Sequence, residues 1–108
     1  MYGATKAAQV ALARTIAKEH GRHGIRSNVV CPGLVMPEGE GAIGRKSLWA
    51  GGEIFDDGQV QSILKALPLR RLTTADDIAR TVVFLSSEVA ARQITGQLLS
   101  VSGGFTMP

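Results

Sequence analysis

The sequence predicts an α/β chain whose strands run parallel and are covered by helices. Three observations predict it. Residues 2–20 form an unbroken helical run rich in Ala. The β-branched stretch that follows, 25–31, is consecutively apolar at Val29, Val30 and Cys31. A helical period over 74–85 then gives way to a second apolar stretch at 97–101. Consecutive apolar residues mark a strand covered on both faces, the habit of parallel sheets. A length of 108 residues fits one domain or part of one.

The first helix is expected over 2–20, because Ala and Leu favour it and no Pro interrupts. Ala4, Ala8, Leu12 and Ile16 recur at i+4 steps, with Val10 and Ala11 alongside. That broad apolar face, so rich in alanine, should pack closely on another helix or a sheet. Gly21 and Gly24 flank Arg22-His23, a stop whose basic residues suit the negative end of the helix dipole. The first strand, 25–31, ends at Pro32-Gly33. Residues 33–58 are irregular, rich in Gly, Pro and charge, with Leu48-Trp49 as the bulky apolar anchor. Loops of this length are usually functional or disordered. A short helix is expected over 57–67, followed by Pro68. Thr74-Ala75-Asp76-Asp77 is a capping-box start with Asp in place of Glu. Ile78, Ala79, Val82, Val83 and Leu85 continue that helix, and Ile94-Thr95-Gly96 turns into the second strand, 97–101, stopped by Gly103-Gly104.

Composition narrows the function. A hydrophobic content of 44% with 19% charge is that of a globular domain rather than a disordered chain. No apolar run reaches the roughly 18 residues that span a bilayer, so no membrane role is expected. Twelve basic and nine acidic residues leave a net charge of +3. The basic residues are dispersed: Arg14, Lys18 and Arg22 share a helical face, and Arg45-Lys46 and Arg70-Arg71 lie apart. Nucleic-acid binders cluster such charge, so no nucleic-acid partner is expected. A single Cys31 excludes an internal disulfide and fits the reducing cytoplasm. Its place in an apolar run suggests a buried structural thiol.

The chemistry-bearing pair is Tyr2 and Lys6. Positions i and i+4 of a helix project from one face, so phenol and ammonium can point at a common space. A free Tyr ionises near pH ~10, and a cation within about 4–6 Å favours the phenolate. Such a Tyr could protonate a carbonyl oxygen or deprotonate a hydroxyl. The plain alternative is a surface Tyr–Lys contact. Pro32-Gly33 reads two ways as well. At the carboxyl end of a strand it could let backbone approach a ligand closely, or it could simply end the strand.

Other patterns carry less. Gly39-Glu40-Gly41-Ala42-Ile43-Gly44 matches G-x-G-x-x-G, but the dinucleotide fingerprint needs a strand before it and a helix opening on it. Pro32 and Pro37 precede it, and Arg45-Lys46-Ser47 follow, so a flexible loop is expected. His20 and His23 lack a third ligand at suitable spacing, and no metal site is expected.

The segments together resemble the short-chain dehydrogenases/reductases. The resemblance rests on Tyr2-x-x-x-Lys6 with its Ala-rich helix and on 24–35, Gly-Ile-Arg-Ser-Asn-Val-Val-Cys-Pro-Gly-Leu-Val. It extends through Asp76-Asp77-Ile78-Ala79, Phe84-Leu85-Ser86-Ser87 and 94–104, Ile-Thr-Gly-Gln-Leu-Leu-Ser-Val-Ser-Gly-Gly. It covers nearly the whole chain except 36–66, the family's variable substrate loop.

That resemblance implies the C-terminal part of a Rossmann-type doubly wound parallel sheet, and an oxidoreductase using NAD or NADP on a hydroxy or keto substrate. Tyr2 would be the acid/base, and Lys6 would lower its pKa and hydrogen-bond the nicotinamide ribose. Pro32, Gly33 and Val35 would line the nicotinamide side, residues 36–66 would close over substrate, and the enzyme would be a homodimer or homotetramer. The family's Gly-rich cofactor turn and catalytic Ser precede the Tyr, so the chain should represent the last two-fifths of such an enzyme and be inactive alone. Pro37 stands where the family often has Thr, and Ser102 replaces a frequent Asp. The Val-Ser-Gly-Gly ending and 19–24 look closest to members oxidising alicyclic hydroxyacyl-CoA substrates. Two rival readings are a non-catalytic self-association module and a small nucleotide binder built on 39–44.

Overall fold

A computed structural model describes residues 1–35 and 57–108. The chain runs α1 (Tyr2–His20), a 3-10 turn (Gly21–His23), β1 (Val29–Pro32), α2 (Asp57–Ala66), α3 (Ala75–Ser86) and β2 (Leu98–Val101). β1 and β2 pair in parallel, with Val29 beside Leu98 and Pro32 beside Val101. A parallel pair needs a long crossover, which passes through α2 and α3. α3 lies against both strands. The architecture is thus the expected parallel α/β arrangement. The residues between β1 and α2 that include Leu48-Trp49, Pro37 and the 39–44 glycine pattern lie outside the described residues. Of the expected substrate segment, only its C-terminal part, α2, is described.

α1 ends where its glycines suggest. After one 3-10 turn Gly24 adopts a left-handed φ of 76° and its N–H donates to the Gly21 carbonyl at 3.0 Å. Its apolar face, however, is not covered by the described residues. Leu12 is 60% exposed and only Ala17 is buried, against Gly96. The strands are also shorter than the pattern predicts. Residues 25–28 are not strand, because side chains take over part of their backbone pairing. The Ser27 N–H donates to Thr95 Oγ1 at 3.0 Å, and the Gly96 N–H donates to the Ser27 carbonyl at 2.7 Å. Asn28 spans the gap: its amide donates to the Ile94 carbonyl, and its Oδ1 accepts from the Gln97 N–H, both at 3.0 Å. That second bond diverts the Gln97 N–H from the ladder, while the Gln97 carbonyl still accepts from the Val29 N–H at 2.8 Å. Val29, Val30 and Cys31 are half-buried rather than covered on both faces.

Arg26 holds the joint between α3 and β2. Its guanidinium donates to the carbonyls of Leu85 at 2.7 Å, Ile94 at 3.2 Å and Ser87 at 3.5 Å. It therefore satisfies the Leu85 carbonyl, in the last turn of α3, where helix carbonyls lack an intrahelical partner. Arg26→Met should destabilise the chain by about 2 kcal/mol, since a hydrogen bond from a charged donor contributes roughly 1.5–3 kcal/mol and the Leu85 carbonyl loses its donor, whereas Ile94 keeps Asn28 and Ser87 keeps the Ala91 N–H. Urea denaturation reads this directly, and a midpoint equal to wild type would contradict it.

α3 begins with the capping box that the sequence anticipates. Thr74 Oγ1 accepts from the Asp77 N–H at 3.1 Å, and Asp77 Oδ2 accepts from the Thr74 N–H at 2.9 Å. The Thr74 amide and then its hydroxyl hold the Asp77 carboxyl below its usual range. A depressed carboxyl stabilises the fold above its unfolded pKa and loses that contribution as pH falls through the folded value. Thr74→Ala should lower stability by about 1 kcal/mol at neutral pH. That variant keeps the amide bond to the Asp77 carboxylate, so the pH dependence is read in Asp77→Asn, whose deficit against wild type should shrink as pH is lowered through the Asp77 titration, measured by thermal unfolding across pH.

Candidate active site

α1 carries the first half of the site. Its opening turn is held by Met1, whose carbonyl accepts from the Thr5 N–H at 3.0 Å and the Thr5 hydroxyl at 2.9 Å. Tyr2 and Lys6 are one turn apart on one face, as their spacing requires. Lys6 Nζ sits over the Tyr2 ring, 5.4 Å from its centroid. At that distance the ammonium interacts with the ring face as a cation–π pair, worth about 0.5–1 kcal/mol when exposed. The Tyr2 side is open, with 78% of the residue exposed, so a ligand can reach the phenol.

The second half lies at the carboxyl end of β1. The Gly33 N–H continues the sheet ladder by donating to the Val101 carbonyl at 3.0 Å. Val35 makes an isolated parallel bridge to Thr73, whose hydroxyl donates to the same Val101 carbonyl at 3.2 Å. Pro32, Gly33 and Leu34 form one wall of an apolar cleft of about 370 Å³. Ile63 and Leu67 of the α2 region and Phe105 and Thr106 of the C-terminal segment form the other walls. Pro32 and Gly33 therefore share a cavity, Val35 lies beside it on the Thr73 bridge, and Tyr2 and Lys6 are not among the cleft's walls.

Gly33 is required for a reason the sequence does not show. A Cβ there would lie 2.7 Å from Ser102 Cα and 2.8 Å from Ser102 Cβ. The close neighbour of this backbone is the chain itself. Its glycine lets the β1 end pack on the β2 end, and the strand-ending reading of Pro32-Gly33 describes its packing.

Ile63 falls within the expected 36–66 substrate segment; the residues that sequence reasoning did not place at the site are Leu67, Phe105 and Thr106 in the cleft, and Thr73, which bridges to Val35. One signal was available. Gly103-Gly104 directly after a strand marks a reversal, and both residues have positive φ, 64° and 94°. The reversal returns Phe105 and Thr106 to the end of β1.

A parallel pair with a helical crossover and a cleft at the strand ends is the geometry of doubly wound α/β proteins, which bind ligands at that edge. Comparison with known proteins is more specific. The family model described as Enoyl-(Acyl carrier protein) reductase matches residues 1–106, and the chain belongs to the short-chain dehydrogenase/reductase family. The 3-oxoacyl-[acyl-carrier-protein] reductase of Staphylococcus epidermidis is 36% identical over 106 residues, 98% of this chain and 38% of that relative. A short-chain oxidoreductase from Burkholderia thailandensis superposes with a TM-score of 0.72 at 39% identity, covering 95% of this chain and 36% of that one. A blue fluorescent protein from a metagenomic library, solved in complex with NADPH, gives a TM-score of 0.70 at 28% identity, covering 98% of this chain and 37% of its own. The chain thus spans a little under two-fifths of the length of the relatives it matches. Its fold is the corresponding part of the Rossmann-type sheet.

Proposed function

We propose that these residues form the tyrosine-bearing part of an NAD(P)-dependent oxidoreductase that interconverts a secondary alcohol and a ketone. Oxoacyl or hydroxyacyl thioesters, alicyclic ones included, are the substrate class. The observation that carries this reading is the Tyr2–Lys6 pair, with its ammonium 5.4 Å from the ring centroid on an open helix face. The residues present fit the nicotinamide end of a dinucleotide. Pro32 and Gly33 offer a flat apolar wall at the strand end where such ligands sit, with Val35 beside it.

A bound nicotinamide supplies or accepts the hydride. The Tyr2 phenol donates its proton to the carbonyl oxygen in reduction and takes one from the hydroxyl in oxidation. Lys6 keeps positive charge beside the phenol as its proton leaves, and its ammonium can donate to the ribose hydroxyls. Pro32, Gly33 and Val35 would line the nicotinamide side of the site and exclude water from it. A cytoplasmic setting suits the free thiol of Cys31. Assembly of a protein of the relatives' length into a homodimer or homotetramer would cover the exposed Val82, Val83 and Phe84 of α3.

The test replaces the matched 106 residues of the Staphylococcus epidermidis reductase with residues of this chain. The chimera should oxidise NADH or NADPH in the presence of acetoacetyl-CoA, whereas the 108-residue chain alone should not. A folded chimera that binds cofactor but shows no ketone-dependent oxidation would overturn the reading. The exposed apolar positions also favour a second reading, self-association without catalysis. Analytical ultracentrifugation of the 108-residue chain separates the two, since a folded monomer removes it.

A further inference from the structure

We infer that the segment from Thr106 onward is a strap at the edge of the cleft, and that the hydroxyls of Ser100 and Ser102 are the clasp that keeps it closed. What the strap retains rests on the nicotinamide reading above. Every polar atom of Thr106 goes to one of those two serines. Its N–H donates to Ser102 Oγ at 3.1 Å, and its carbonyl accepts from the same hydroxyl at 3.3 Å. Its Oγ1 lies 2.8 Å from Ser100 Oγ, which in turn lies 2.8 Å from Ser102 Oγ. One assignment places all three hydroxyl protons: Thr106 donates to Ser100, Ser100 to Ser102, and Ser102 to the Thr106 carbonyl. Ser102 Oγ then accepts twice and donates once, the full capacity of a hydroxyl.

The two sides of the clasp differ in what else holds them. Ser102 is 4% exposed, and its Cα and Cβ lie so close to Gly33 that no Cβ fits there. Ser100 sits beside Cys31 in the strand register. Both serines therefore belong to the sheet. Thr106 is exposed and follows a reversal made by two glycines with positive φ. The Phe105 N–H donates to the Ser102 carbonyl at 3.2 Å, a backbone bond that needs no hydroxyl. Phe105 is thus the pivot, and Thr106 is the first residue whose hydrogen bonds all belong to the clasp. Among the described residues, Met107 and Pro108 add no hydrogen bond to it.

Thr106 also lines the cleft that Pro32 and Gly33 line. When the clasp opens, that wall is withdrawn and a ring seated at Pro32–Gly33 meets water. The sheet need not unfold for this, because the strands share no hydrogen bond with Thr106 beyond the serine hydroxyls. Clasp strength therefore sets how fast the nicotinamide end leaves, and it does not set how fast hydride moves.

Amide hydrogen exchange of the 108-residue chain reads the clasp with no ligand present. Ser102→Ala should speed exchange at Thr106 by about tenfold or more, the weight of one hydrogen bond in a local opening equilibrium. The Gly33 amide, bonded to the Val101 carbonyl, should stay within about twofold. If circular dichroism shows that Ser102→Ala does not fold, Ser100→Ala, at a half-buried position, breaks the relay and should still give about threefold or more at Thr106. In the chimera, Ser102→Ala should release NADH or NADPH about fivefold faster by stopped-flow fluorescence, with single-turnover ketone reduction within about twofold. A Thr106 amide as labile in the wild type as in Ser102→Ala overturns the clasp. Equal acceleration at Thr106 and Gly33 makes Ser102 a support of the sheet and overturns it too. Unchanged cofactor release in a variant whose Thr106 exchange has quickened overturns the retaining role. A folded chimera that binds no cofactor overturns the nicotinamide reading and the retaining role with it, while exchange still decides the clasp.

Discussion

Tyr2→Phe in the chimera should lower kcat by roughly 10²–10³-fold with little change in cofactor affinity. General acid–base catalysis by a positioned side chain contributes about 10²–10⁴-fold. A loss of that size, divided over both reaction directions, is expected only if the phenolic proton moves in the transition state. Phe keeps the ring beneath Lys6 Nζ, so the cation–π contact 5.4 Å from the centroid survives and only the hydroxyl is removed. Because Tyr2 is 78% exposed in the 108-residue chain, the same substitution there should leave its melting temperature within a degree or two. Lys6→Gln supplies the complement: it keeps the phenol and removes the charge, and it should lower kcat by about tenfold or more. Turnover of Tyr2→Phe within a factor of three of the parent would show that the pair is a surface contact.

Gly33→Ala should be strongly destabilising for so small a substitution. The added methyl would meet Ser102 Cα at 2.7 Å, Ser102 Cβ at 2.8 Å and Thr73 Oγ1 at 3.2 Å. Two of those atoms are fixed by the β1–β2 register, in which Pro32 pairs with Val101 one residue earlier on each strand. Relief therefore requires the strands to part at their carboxyl ends, which would break the Gly33 N–H to Val101 carbonyl bond of 3.0 Å. Overpacking of this kind costs about 1–3 kcal/mol, and the lost ladder bond adds about 1 kcal/mol. A drop in melting temperature of roughly 10 °C or more is expected for a chain of this size. Gly3→Ala is the matched control. No atom lies within 4 Å of its added Cβ, and it sits in α1, so it should raise stability by up to about 1 kcal/mol. If both substitutions shift the thermal midpoint equally, close packing at Gly33 is not the reason for the glycine.

Residues whose effect is local were legible in the linear sequence. The capping box at Thr74 and Asp77 needs partners three positions apart, and it forms as read. The helix stop at Gly24 depends on its own φ, and the Tyr2–Lys6 pair depends on one turn of helix. Strand ends were less legible, because they are set by partners 66–69 residues away: Asn28 with Ile94 and Gln97, and Ser27 with Thr95. The expected cover over α1 also failed within the described residues. Periodicity shows which face is apolar, but it says nothing about what lies opposite.

The sequence by itself determined the parallel α/β class, the order of helices and strands, and the placing of a phenol and an ammonium on one helix face, because each follows from backbone preference and a fixed repeat along the chain. Only the tertiary structure decided why position 33 must be glycine, which side chains wall the cleft, and that a buried serine holds the C-terminal segment across it. Those features arise where the two strand ends, α2 and the last residues converge, and distances between such remote segments are set by packing rather than by any spacing in the sequence.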